Sequence, residues 1–347
     1  MERLRVAIAA SVPPGLTELI TSREPRLELL YDQDLLPPMR HPADFNGDPS
    51  FRRTSAQQRA YEALVDSADA LYGIPDVDAD ALRRAVRANP GLRWVHTMAA
   101  GGGATVKAAQ LSEDELRRVV FTSSAGVHRD PLAEFALFGV LAGAKQLPRL
   151  NAQQQARDWS DRWLMGQLSE QTVLVVGLGG IGGRVVELLA AFGATIIGTS
   201  RRHRAMSGVE LIHPDDMASV AGRLDAVVTT LPGTDATAGL LGAAFFGALK
   251  PGATVVNVGR GTVIDEPALI AALESGQVGF AALDVFAVEP LPPDSPLWSM
   301  PNVLVSPHSA ALSVHEDRRI AELFTENASR LLDGRPLLNV IDPVEFY

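Results

Sequence analysis

Residues 177–182 read Gly-Leu-Gly-Gly-Ile-Gly, and their flanks leave this chain few folds to choose from. Val173 to Val176 runs into them as an apolar strand, and Arg184-Val-Val-Glu-Leu-Leu-Ala-Ala-Phe follows with helical spacing. Glycines so spaced at a strand-to-helix turn have separate duties. Gly177 permits the tight turn, Gly179 lets backbone approach a pyrophosphate, and Gly182 lets the helix pack on the strand. Gly180 and Ile181 complete the loop at the positive end of the helix. The spacing alone is weak evidence, and a purely structural turn is the alternative; the surrounding strand and helix give it weight.

Further strand and helix signals alternate on both sides of this loop. Before it, Val6 to Ala10, Leu27 to Tyr31, Ala70 to Ile74, Trp94 to Met98 and Val119 to Ser123 read as strands. Ala56 to Val65 and Ala79 to Arg87 have helical spacing between them. From Thr172 onward about six strands are expected: Val173 to Val176, Thr195 to Gly198, Ala226 to Thr230, Thr254 to Val258, Phe280 to Leu283 and Val303 to Val305. Such alternation predicts two α/β lobes, each a doubly wound parallel sheet of Rossmann-like or flavodoxin-like type. The segment 40–53, rich in Pro, Asp, Asn and Gly, predicts an irregular loop. At Asp130-Pro131 an N-cap and a first-turn proline predict a helix running to about Leu147, apolar on more than one face. A final helix is expected from about Val314 to Leu332, crossing back onto the first lobe.

Composition limits the partners. At 347 residues two cores are possible. A net charge of −10 argues against a nucleic-acid surface, so any bound anion must rely on local cations and backbone N–H groups. The absence of cysteine excludes disulfides, thiolate catalysis and cysteine-ligated metals, and no metal is expected at the site. Phe135 to Ala144, the longest apolar stretch, is too short to span a membrane. With no secretory signal at Leu4-Arg-Val-Ala-Ile-Ala-Ala, a cytoplasmic protein is expected.

Ionisable residues then fall in a fixed order, each beside Gly or Pro at a strand end. The strand after the fingerprint ends Thr199-Ser200-Arg201-Arg202, with no acid to hold a ribose 2′-hydroxyl. A hydroxyl and guanidinium groups suit a 2′-phosphate, so Ser200, Arg201 and Arg202 predict preference for NADP(H), with NAD(H) possible; a solvated basic loop is the plainer reading. Arg260, between Gly259 and Gly261, offers a planar fork to a substrate carboxylate, or else a structural ion pair. Glu289 precedes Pro290, and taken alone it reads as a surface acid. His308, in Ser306-Pro-His, can give a carbonyl oxygen its proton, and a carboxylate beside it favours the charged imidazole.

With Val176-Gly-Leu-Gly-Gly-Ile-Gly182, Leu231-Pro-Gly-Thr234, Asn257 to Asp265, Ala282-Leu-Asp-Val-Phe286, Glu289-Pro290 and Ser306-Pro-His308, the chain resembles the NAD(P)-dependent D-isomer-specific 2-hydroxyacid dehydrogenases, nearer their glyoxylate/hydroxypyruvate reductase branch. The resemblance implies catalytic Arg260, Glu289 and His308, with Arg260 on the substrate carboxylate and Glu289 partnering His308. It implies Asp284 at the nicotinamide carboxamide, Leu231 and Pro232 along the adenosine, and Val258 and Gly259 at the nicotinamide end. It also implies a substrate lobe of 1–124 completed by 313–347, a dinucleotide-binding domain of 125–312, a cleft between them, and a homodimer through the helix after Pro131. The substrate it suggests is a small anionic 2-oxo or 2-hydroxy acid.

The first lobe departs from the family. Its carboxylate-holding turn, Gly-Val-Asp in relatives, reads Met98-Ala-Ala-Gly101-Gly-Gly103 here, leaving Ala100 and Gly101 to offer N–H groups. Tyr72 and Gly73 are candidates for the pocket wall, whereas His96 reads better as a packed strand residue. Rival readings are a dinucleotide-sensing interaction protein of the co-repressor kind and an NAD-dependent formate-, phosphite- or phosphoglycerate-type dehydrogenase. The Ser200-Arg201 loop argues against the NAD-dependent formate and phosphite types. The chain ends soon after its final helix, so the regulatory domain of longer phosphoglycerate dehydrogenases is not expected.

Overall fold

A computed structural model of the protein describes residues 3–159, 162–201 and 205–346. Two compact units emerge, one of Met1–His128 with Leu312–Tyr347, the other of Arg129–Ala311.

In the first unit Leu4–Ile8 (β1), Leu27–Leu30 (β2), Ala70–Tyr72 (β3), Trp94–Thr97 (β4) and Val120–Ser123 (β5) form one sheet in the order β2-β1-β3-β4-β5. Every pairing is parallel, and the strand order reverses between β1 and β3. Several ends fall a residue or two from those expected, because β1 and β3 stop before Ala10 and Ile74. The helix Glu316–Leu332 puts Ile320, Ala321, Phe324 and Ala328 on one buried face. Phe324 stacks on Trp94 at 4.6 Å between ring centroids and meets Tyr72 edge-on at 4.9 Å.

Two irregular segments close this unit. Residues 40–53 contain no helix or strand. Asp44 there accepts from Arg40 Nε at 2.7 Å, and Asp317 of the last helix accepts from the Ala43 N–H at 3.1 Å. The C-terminal tail lies antiparallel against β5, pairing Val340 with Thr122, so the outer strand is not left with bare backbone groups.

The second unit pairs Thr172–Val176 (β6), Thr195–Thr199 (β7), Val209–Ile212 (β8), Ala226–Thr229 (β9), Ala253–Asn257 (β10), Val278–Leu283 (β11) and Val303–Val305 (β12). The order β12-β11-β10-β9-β6-β7-β8 is parallel throughout, a doubly wound sheet reversing between β6 and β9. This sheet has one strand more than the expected six. The addition, β8, is an edge strand of four residues with no fully buried side chain, too short and too wet to show a period.

The helix joining the units also differs from expectation. It begins at Arg129, which puts Asp130 inside the first turn rather than at the cap, where it pairs with Arg184 at 2.9 Å. It ends at Ala144, and Gln146 turns left-handed (φ 54°) before a second helix, Leu147–Ala156. A Cβ on Gly139 would stand 2.8 Å from Val256 and 2.9 Å from Ala282, so that glycine lets the helix lie directly on β10 and β11.

His96 on β4 is fully buried, with Nδ1 2.8 Å from Thr122 Oγ1 and Nε2 3.1 Å from Ser124 Oγ. Burial holds its imidazole neutral, with a pKa lowered to about 3. In the unfolded chain this side chain takes up a proton near the ordinary value, about 6.5. The unfolded state therefore binds the extra proton between those values, and stability must fall as pH falls through that window. Thermal melts from pH 7 to 4 should show a steeper loss of Tm for the wild type than for His96→Gln. Parallel slopes would mean that the folded protein protonates His96.

Candidate active site

The glycine loop closes by backbone contact. Gly177 sits at φ 97°, a conformation that suits glycine, and a Cβ on Gly182 would fall 1.9 Å from the Gly177 carbonyl. Thr199 Oγ1 accepts from the Gly177 N–H at 3.0 Å, and Thr230 Oγ1 donates to its carbonyl at 2.9 Å. The helix Gly180–Ala191 then starts without a side-chain cap, and a Cβ at Gly179 or Gly180 would meet nothing within 4 Å. Uncapped N–H groups facing open space at a helix N-terminus fit a diphosphate. Ile181 is half-buried behind them. At the end of β7, Ser200 is partly buried, its N–H donating to the Ile212 carbonyl at 3.0 Å, and Arg201 is exposed. Arg202 lies outside the described residues.

From this loop the strand ends follow one another in contact. A Cβ on Gly177 would lie 2.7 Å from Leu231 Cδ2, and one on Gly259 would lie 2.5 Å from the Leu231 carbonyl. Pro232 is exposed beside it. Val258 is buried, with its side chain in the core beneath the sheet, so its backbone alone faces the turn. Asn257, 1% exposed, braces this corner: Oδ1 accepts from the Gly259 N–H at 3.0 Å and Nδ2 donates to the Arg260 carbonyl at 3.1 Å. Arg260 is exposed and donates to the Gly259 carbonyl at 2.7 Å. Among the described residues it pairs with no carboxylate, so the structural ion pair is not formed. Gly261 in turn packs on Phe286, whose carbonyl carbon would be 1.9 Å from a Cβ there.

Phe286 opens the loop that carries the carboxylate. Its N–H donates to Glu289 Oε1 at 3.0 Å, and the other oxygen of Glu289 lies 2.7 Å from His308 Nδ1. A carboxylate at Nδ1 fixes the proton there and leaves Nε2 of the half-exposed ring as the nitrogen that can exchange one. His308 itself is left-handed (φ 54°). Fingerprint, Arg260, Glu289 and His308 thus lie along one strand-end edge of a single sheet, linked by turn-to-turn contact.

Asp284 sits beneath that loop, 1% exposed. Its Oδ1 accepts from Ser306 Oγ at 2.6 Å and from the N–H groups of Ser309 and Ala310, each at 2.9 Å. Sequence reading missed the parts of Ser306, Asn257, Thr199 and Thr230. Each stands at a strand end next to a glycine or a named site residue, but only contact reveals its partner.

The first-unit candidates are placed differently from one another. Ala100 and Gly101 form an exposed turn after β4. Tyr72 is fully buried against Phe324, its hydroxyl unpartnered and its pKa raised by burial, so it is a core residue rather than a wall. A Cβ on Gly73 would come 2.5 Å from that of Ala10, which gives this glycine a packing role. His96 is the packed strand residue described above.

Comparison with known proteins identifies the family. Residues 137–310 match the family described as D-isomer specific 2-hydroxyacid dehydrogenase, NAD binding domain. The chain is 31% identical over 311 residues to glyoxylate/hydroxypyruvate reductase B of Citrobacter koseri, covering 85% of this chain and 90% of that one. It is 34% identical over 279 residues to D-3-phosphoglycerate dehydrogenase of Mycobacterium bovis, covering 78% of this chain but only 51% of that protein, about half its length. Among solved structures, a D-isomer specific 2-hydroxyacid dehydrogenase from Xanthobacter autotrophicus Py2, in complex with NADPH and MES, superposes with a TM-score of 0.78 at 30% identity over 100% of both chains. The chain therefore belongs to the D-isomer specific 2-hydroxyacid dehydrogenases, a family of nicotinamide-dinucleotide oxidoreductases acting on CH–OH groups.

Proposed function

We propose that the protein reduces a small 2-oxo acid of the glyoxylate or hydroxypyruvate kind to the D-2-hydroxy acid with NADPH. The observation that carries this reading is the His308–Glu289 contact of 2.7 Å on the same strand-end edge as Arg260, which pairs with no carboxylate among the described residues. Bound NADPH supplies a hydride to the carbonyl carbon. Arg260 holds the substrate carboxylate and polarises its carbonyl, and His308 Nε2 gives the carbonyl oxygen its proton. Glu289 stabilises the charged imidazole before transfer. In the first unit, the N–H groups of the Ala100–Gly101 turn are offered to an anion. The relatives' names support the substrate class, and the NADPH of the Xanthobacter enzyme supports the cofactor.

A panel of 2-oxo acids with NADPH and NADH side by side tests this. Glyoxylate and hydroxypyruvate should be reduced fastest; turnover confined to 3-phosphohydroxypyruvate would favour the phosphoglycerate reading, and none at all would favour a sensor. His308→Gln should bind NADPH normally and lose about 10²–10⁴-fold in kcat. Wild-type turnover in that variant would mean another group moves the proton.

For the 2′-phosphate we propose Ser200 and Arg201, with Arg202 as a further candidate. Arg201 is exposed at the end of β7, in a segment without an acid. Arg201→Ala should lower kcat/KM for NADPH by about 10- to 150-fold and leave NADH almost unchanged. Equal effects on both cofactors would remove the assignment.

The working form we propose is a homodimer. Phe138 is 45% exposed on the helix Arg129–Ala144, and Trp159 and Leu164 beyond it are 100% and 93% exposed. Large apolar side chains left in water call for a cover. Sedimentation equilibrium should give a dimer, and Trp159→Ser with Leu164→Ser should shift it toward monomer. A wild-type monomer at micromolar concentration would refute this.

A further inference from the structure

The loop after β12 holds its imidazole in an unusual way. His308 is left-handed at φ 54°, a region that residues with a Cβ rarely occupy unless their surroundings enforce it. The His308 N–H reaches the Ser306 carbonyl at 3.0 Å, and the loop around it is tied to Asp284. The Asp284 carbonyl accepts from the His308 N–H at 2.9 Å. Its carboxylate Oδ1 accepts from Ser306 Oγ at 2.6 Å and from the N–H groups of Ser309 and Ala310, each at 2.9 Å. The Asp284 N–H is itself tied to the Asn257 carbonyl at 3.0 Å, on the strand that leads to Arg260. A carboxylate 1% exposed needs donors, and this one draws all of those named from three residues around His308.

We propose that Asp284 is a positioning residue for His308, acting through the Ser306 hydroxyl and the two N–H groups that follow the imidazole. This rests on the reading of His308 as the proton donor, and it gives Asp284 work beyond a place at the nicotinamide. The loop's three donors meet on a single oxygen, so they fix the direction of the loop as well as its distance from β11. With the backbone of 306–310 gathered on Asp284, the ring of His308 is presented to Glu289 at 2.7 Å. Loss of the hydroxyl leaves two donors on that oxygen, and the loop gains freedom next to its strained residue.

Ser306→Ala tests this in the intact protein, since it removes one donor from a partly buried side chain and keeps the carboxylate. Three readings are taken together: the Nδ1-proton resonance of His308 in protein labelled with ¹⁵N-histidine, identified by its loss in His308→Gln; NADPH dissociation by fluorescence; and kcat. The resonance should broaden or vanish in Ser306→Ala, kcat should fall by about 10- to 100-fold, and NADPH affinity should stay within about twofold. Ser306→Thr, which keeps a hydroxyl, should restore the resonance and the rate.

A variant that keeps both the wild-type resonance and wild-type kcat overturns the proposal. So does one that loses NADPH affinity with the resonance unchanged, which would assign Asp284 to the cofactor alone. The resonance does not depend on turnover. If wild-type protein reduced no 2-oxo acid while the resonance still followed the hydroxyl, the positioning role would stand and the catalytic reading would fall.

Discussion

Backbone meets backbone at the carboxyl ends of these strands, and the site depends on that closeness. Gly182 lies on the Gly177 carbonyl, Gly259 on the Leu231 carbonyl, and Gly261 on the backbone of Phe286. A methyl group at any of them would overlap main-chain atoms, which cannot swing aside as a side chain does. The first tightens a single turn, and the other two join turns from different strands. With the Leu231 side chain against Gly177, they connect a phosphate-type loop to an arginine, and the arginine to the loop that bears a carboxylate, which in turn meets the imidazole of the next loop. Remote residues become neighbours without any of them having to reach.

Environment then divides the work between two carboxylates. Asp284 is sealed beneath its loop and satisfied by three donors, whereas Glu289 stands at the surface, with one oxygen on the Phe286 N–H and the other on His308. A buried acid with fixed donors is an anchor. A half-open acid beside an imidazole can respond when that ring gains or loses a proton. The chemistry assigned to this edge needs both behaviours, supplied by residues only five apart in the chain.

Much of this was legible because period and punctuation carry it. Parallel strands buried on both faces read as apolar runs, and the glycines announced their turns, so the two doubly wound sheets and the order of Arg260, Glu289 and His308 could be read directly. What escaped was short, wet or tertiary. Edge strand β8 has only four residues and no buried face. The helix after Arg129 breaks at Gln146, which adopts a left-handed backbone that no local pattern announces. Tyr72 sits at a strand end, where ligands are expected, yet Phe324 covers it from more than 250 residues away in sequence. Ser306 was legible only as part of the Ser306-Pro-His308 motif, and the bond from its hydroxyl to Asp284 is tertiary.

The notch at Gly139 has a mechanical consequence. Through it the helix Arg129–Ala144 rests on Val256 and Ala282, and Val256 lies four residues before Arg260 while Ala282 lies two before Asp284. The neighbouring residue, Phe138, looks outward. With no intervening layer of flexible side chains to absorb a push, any load borne by that outer face passes through one rigid rod into the strands that aim the guanidinium and anchor the imidazole loop.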